Sequence, residues 1–177
     1  MPIRKLISVV LLLPSFAIAQ SDQRDVWEPF KYFVGNWEGT GKGQPGESKM
    51  QREYKFVLNG KFLHAQNRSV YEPQAKNPKG EIHEDWGLLS FDKSRRQFVL
   101  RQFHVEGFVS QYVMTSASGD GKTFVFTTES IENIPAGWRA RETYRILSAD
   151  EFVEEFALAP PGKDFEIYSE SRHKRKK

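Results

Sequence analysis

From Asn36 to Ser171 the chain is a succession of short segments in which apolar and polar residues alternate, each closed by a cluster of turn formers. In Met50–Leu58 the residues Met50, Tyr54, Phe56 and Leu58 fall on one side and Gln51, Glu53 and Lys55 on the other, the two-residue period of a half-buried strand. Asn59-Gly60 follows, a pair that tolerates positive φ at both central positions of a tight hairpin, so Lys61–Tyr71 is predicted to run back antiparallel. Further strands are predicted over Ile82–Phe91, Gln97–Val105, Phe108–Thr115, Thr123–Ile131, Arg139–Leu147, Phe152–Leu158 and Phe165–Ser171. Only Trp27–Val34 reads as a short helical turn or cap. Nine or ten hairpin-linked strands are expected to form an all-β fold: one antiparallel meander closed into a barrel, because closure removes exposed strand edges without long crossovers. A two-sheet sandwich is the alternative, and Glu72–Gly80 is the one connection long enough for it.

The N-terminus has a different character. Arg4 and Lys5 precede an apolar run from Leu6 to Phe16, and Ala17 and Ala19 supply an A-x-A site, the order of a cleaved secretory signal over residues 1–19. The run is too short for a bilayer span, which takes about 20 apolar residues, so no stable membrane insertion is expected after cleavage. Export predicts a periplasmic or secreted protein. Residues 20–26 read as a flexible start, 27–172 as one barrel domain and 173–177 as a basic tail.

Composition removes several classes of function. The chain has no Cys, so disulfides, thiolate metal sites and a thiol nucleophile are excluded. Its net charge of +3 comes from the ends, where Arg4 and Lys5 and the group Arg172, Lys174, Arg175, Lys176 and Lys177 outweigh a slightly acidic middle. Without a basic face, nucleic-acid binding is not expected. No zinc-protease, serine-hydrolase, P-loop or dinucleotide motif occurs, and Asn67-Arg68-Ser69 is a glycosylation sequon with meaning only in a eukaryotic secretory route.

Candidate binding residues come from faces of mixed character. Gln102 and His104 share a strand face with Phe98 and Leu100, which suits a cavity wall ending in hydrogen-bonding groups. Arg52 shares a face with Tyr54 and Phe56, and Arg68 with Phe62, His64 and Gln66. An Arg on an apolar barrel face is costly to bury unless an anion meets it, so both are candidates to hold a carboxylate. His83 lies on the same face as Asp85 and opposite to Glu84, reading as an exposed strand-start histidine. A small apolar or amphipathic ligand is the expected partner.

The stretch Gly35-Asn36-Trp37-Glu38-Gly39-Thr40-Gly41-Lys42-Gly43-Gln44-Pro45 resembles the opening strand of the nitrobindin family, within the calycin superfamily, and Gly80–Leu89 resembles a second strand of that family. The resemblance implies a ten-stranded calycin barrel with a cavity, haem b as cofactor and peroxynitrite isomerisation as activity. It makes Trp37 the plug of the closed end, adds Trp37 and Thr40 to the expected cofactor contacts, and, with Arg175 aligned to the family's closing Arg, puts Tyr168 at the iron-ligand position. A structural or interaction barrel without ligand is the remaining alternative.

Overall fold

The structure is a computed structural model and describes residues 25–177. The signal segment 1–19 and the first part of the flexible start therefore lie outside the described residues. A 3-10 turn, Glu28–Phe33, opens with Pro29 in its first turn, where a missing N–H costs nothing. Ten strands follow: β1 (Gly35–Gly43), β2 (Ser48–Val57), β3 (Phe62–Tyr71), β4 (Glu81–Asp92), β5 (Gln97–His104), β6 (Val109–Ala117), β7 (Thr123–Glu132), β8 (Arg139–Ser148), β9 (Glu151–Ala159) and β10 (Glu166–Arg175). Each pairs antiparallel with its sequence neighbour, and β10 closes on β1, so the sheet has no free edge. The meander barrel is the observed fold, and the sandwich is not.

The Asn59-Gly60 hairpin sets the register that its sequence implies, Val57 opposite Phe62 and Phe56 opposite Leu63. The loop is wider than two residues, because Leu58, Asn59 and Gly60 all take positive φ and Leu58 turns out to solvent. That register corrects the face assigned to β3. Tyr54 of β2 points inward and sits opposite Ala65, so the odd-numbered residues Leu63, Asn67 and Ser69 face the interior. Arg68 therefore points out and pairs with Glu84 at 3.2 Å, and the sequon residue Asn67 is buried.

One end of the barrel is filled. Phe30 and Phe33 enter it from the 3-10 turn and meet Phe98, Phe124 and Phe152 at ring-centroid distances of 4.6, 5.0 and 5.2 Å. Trp37 donates its Nε1–H to the Phe33 carbonyl at 2.7 Å, locking the turn onto the first strand. Arg175 lies 4.2 Å above the Trp37 ring and donates to the carbonyls of Tyr32 and Val34. The segment read as a basic tail from residue 173 is thus strand up to Arg175, and its arginine covers the plug. Pairing with β1 buries His173 completely, although it falls within the segment read as a basic tail.

The β1 glycines are explained by this closure. A Cβ on Gly39 would stand 2.6 Å from the Arg172 carbonyl and 2.8 Å from the His173 Nδ1, and one on Gly43 would stand 2.2 Å from the Tyr168 carbonyl. Only hydrogen fits where β10 crosses so closely.

Candidate ligand cavity

Above the plug the barrel interior becomes polar. Arg52 ion-pairs with Glu154, donates to the Tyr54 hydroxyl at 3.1 Å and to the Asn67 Oδ1 at 3.3 Å. Asn67 in turn donates to Asp85 at 2.8 Å, and Tyr144 donates to Glu142. Arg52, Glu142, Glu154 and Asn67 are all buried. Burial works against the Arg52 charge, but Glu154 together with Tyr54, Tyr144 and Asp85 outweighs it and keeps the guanidinium charged. Burial pushes the Glu142 carboxyl up to about 8, helped by the neighbouring Glu154 charge, because one arginine cannot compensate two buried carboxylates. Burial likewise drives the His173 imidazole well down, and the neutral ring stacks on Phe152 at 4.6 Å while Nε2 meets the Ser171 hydroxyl at 2.8 Å.

This polar layer is the floor of a cavity of about 550 Å³. A separate void of about 40 Å³ lies between the layer and the plug, lined by Phe30, Phe33, Tyr54 and Leu100 among others. The two walls of the large cavity differ. From β7 to β10 it is lined by Ile131, Trp138, Phe156, Leu158 and Tyr168, with Glu142 and Glu154 at the floor and Glu170 on β10; from β4, β5 and the turn after β5 it is lined by His83, Asp85, Gln102, His104 and Glu106. The charge balance is also uneven, with Glu81, Asp85, Glu106, Glu154 and Glu170, besides a Glu142 carboxyl kept neutral by burial, against Lys42, Arg52 and the imidazolium of His83.

On the polar wall His83 has a carboxylate at each ring nitrogen, Glu106 at 2.7 Å from Nδ1 and Asp85 at 3.5 Å from Nε2. Burial disfavours its charge, but the two carboxylates prevail and raise it to about 9. His104 stacks on Phe108 at 4.0 Å, and burial lowers its pKa. Both its ring nitrogens are shut off from solvent without a hydrogen-bond partner.

Of the residues singled out from the sequence, Arg52, Gln102, His104 and Tyr168 line this one cavity. Tyr168 reaches it through an irregularity in the β9–β10 register between Ile167 and Ser169, which breaks the alternation that would have grouped it with Glu166 and Arg172. Three do not reach it. Arg68 is outside on β3; Thr40 is exposed on the outer face of β1; Trp37 is on the inner face of β1 but below the polar layer, in the plug. Arg52 is also not free for a carboxylate ligand, since Glu154 already holds it. Sequence reasoning missed Glu142 and Glu154, whose alternation within β8 and β9 was visible, because an acidic residue on an apolar face looks like surface until its partner across the barrel is known. It also read His83 as exposed, although its side chain is 24% exposed and tied to Asp85 and Glu106.

Neither protein-family models nor curated proteins match the sequence. Among solved structures, Rv2717c from M. tuberculosis superposes with a TM-score of 0.64 at 20% identity, over 85% of this chain and 97% of that one. The S-type phycobiliprotein lyase CPES from Guillardia theta superposes with a TM-score of 0.56 at 16% identity, over 88% of this chain and 94% of that one. At such identities the likeness concerns the fold alone, a closed antiparallel β-barrel.

Proposed function

We propose that this protein is a binding barrel for a small amphipathic molecule whose polar end is neutral or cationic. The observation that carries the reading is a cavity of about 550 Å³ that sets an apolar patch (Ile131, Trp138, Phe156, Leu158) against the imidazoles and carboxylates of β4 and β5, above a floor holding Glu142 and Glu154. Its size is typical of small-molecule sites, which span roughly 300–1,000 Å³ and combine apolar walls with a few placed polar groups. The surplus of carboxyl groups opposes an anionic ligand and favours a cation, the reverse of a fatty-acid pocket. The S-type phycobiliprotein lyase shares the barrel fold, without saying which molecule this chain takes.

Haem b is less well supported. Phenolate ligation by Tyr168 needs a lowered pKa, whereas burial raises that of Tyr168 and Glu81 and Glu106 add to the rise. Two haem propionates would also meet carboxylates with both candidate arginines already engaged by Glu154 and Glu84. The residues present do not fit haem held by Tyr168, and no isomerase step is derived from it.

Titration with cationic, neutral and anionic fluorescent amphiphiles tests the reading, with Trp138 in the cavity wall as the quenched donor. Binding of cationic or neutral probes with one site per chain is expected, lost in Met50→Trp, which narrows the cavity. Absence of binding by every probe overturns the reading in favour of a structural barrel, and a Soret shift with hemin that disappears in Tyr168→Phe restores the haem enzyme. Export belongs to the same proposal: expression in a bacterium with a periplasm should yield a mature chain whose N-terminal sequence begins at Gln20. Charged residues such as Lys49, Arg101 and Arg172 on the exposed outer face agree with a water-facing barrel.

A further inference from the structure

We propose that His83, Asp85 and His104 form a binding site for one divalent first-row transition-metal ion, with a coordination position left open to the cavity. This goes beyond the amphiphile reading, since it requires no organic ligand. The residues converge by register. Asp85 of β4 lies directly opposite His104 of β5, and His83 precedes Asp85 by two residues on the same strand face. One ligand atom from each side chain lies within 4.8 Å of the other two. The His83 Nε2 and Asp85 oxygen are 3.5 Å apart, and two ligands bound about 2.0–2.2 Å from a tetrahedral ion stand roughly 3.3–3.6 Å apart.

The surroundings match those of a metal site. Glu106 accepts from His83 Nδ1 at 2.7 Å, which turns Nε2 toward the centre and is the carboxylate–histidine arrangement that orients metal-bound imidazoles. Asn67 fixes the Asp85 carboxylate by its 2.8 Å hydrogen bond, and Arg52 steadies Asn67 from the other side. His104 is held flat by Phe108. Both its buried ring nitrogens lack a partner, a state that is costly unless something in the cavity meets one of them. An ion at the centroid of the three side chains supplies that partner. Two imidazoles and one carboxylate, with no thiolate available anywhere in the chain, suit Zn(II), Co(II), Ni(II), Cu(II) or Fe(II) better than Mg(II) or Ca(II). Three protein ligands leave a position facing the cavity, where water or the polar end of a bound molecule fits.

Full-length protein freed of metal by a chelator is titrated with Zn(II) by calorimetry and with Co(II) by visible spectroscopy. The expected result is one ion per chain and the intense d–d bands of a low-coordinate Co(II) centre. His83→Ala, Asp85→Ala and His104→Ala each lower affinity at least about 100-fold, and Glu106→Gln, which removes only the orienting group, lowers it by about 10–100-fold. His64→Ala, a histidine outside the cavity lining, changes nothing. Binding unaffected by His104→Ala, or less than one ion per chain, overturns the proposal and leaves His83 as a carboxylate-bridging imidazolium. Should the variants misfold, the Cu(II) electron paramagnetic resonance spectrum of the unmodified protein decides: nitrogen splitting from two imidazoles supports the site, and one or none rejects it. Amphiphile binding in the apo protein is scored separately, so either conclusion can fail alone.

Discussion

Glu142 shows how one side chain reports on the whole interior. Its folded pKa of about 8 lies above the ordinary 4.5, so between those values the unfolded chain has released a proton that the folded protein retains. Stability contributed by the neutral carboxyl is complete below pH 4.5 and declines as pH rises through 8. Glu142→Gln removes this loss: thermal unfolding from pH 5 to 8 should show the variant gaining steadily on the unmodified protein, and a constant difference between them would mean that Glu142 is ionised throughout. Gly39 makes a steric counterpart. Gly39→Ala places a methyl against the Arg172 carbonyl and His173, and is expected to cost about 1–3 kcal/mol, the usual range for overpacking. A urea midpoint lowered at unchanged slope would show this. Of these two residues Gly39 was legible in the sequence as part of a patterned glycine run, but its reason, the buried imidazole crossing it, was not. Glu142 showed only its place in the β8 alternation, because burial of a charge is a property of the strands around it.

At the scale of elements, the 3-10 turn and β10 did more than their sequences announced. The turn contributes Phe30 and Phe33 to the plug, and each is 3% exposed. Phe30→Ala should destabilise by about 3–5 kcal/mol, as truncated core aromatics do, while leaving probe binding intact, since Phe30 lines the 40 Å³ void and not the main cavity. Chemical denaturation and the amphiphile titration measure the two halves of that expectation. Strand existence followed from the two-residue period and turn clusters for β2 to β10, which fall on the nine expected segments with β10 running on to Arg175, while β1 was expected from the family resemblance of its glycine pattern. Facing direction followed only where the alternation was unbroken. It held along β2, where Arg52, Tyr54 and Phe56 all turn inward, and broke in β10, where the irregularity after Ile167 puts Tyr168 on the cavity side and His173 in the core.

For the molecule as a whole, the barrel is a cylinder closed by aromatics at one end, crossed by a layer of buried polar groups around the Arg52–Glu154 ion pair, and open above it. The carboxyl-rich lining gives the cavity a negative potential, which the exposed rim residue Glu81 strengthens. Glu81→Lys is expected to shift probe preference severalfold from cationic toward anionic amphiphiles, with the shift shrinking as salt rises, because charges at an exposed rim are screened over about 8 Å at physiological ionic strength. Probe affinities at low and high salt test this, and equal preferences in both proteins would remove the electrostatic part of the functional reading.

The order of strands, their hairpin connections and the all-β character were determined by the sequence alone, since periodicity and turn chemistry act between near neighbours in the chain. Which residues meet was decided only by tertiary structure. Arg52 and Glu154, or Asp85 and His104, come together through the closing of the sheet and its register, and a shift of one residue in any strand would send each of them to the opposite face.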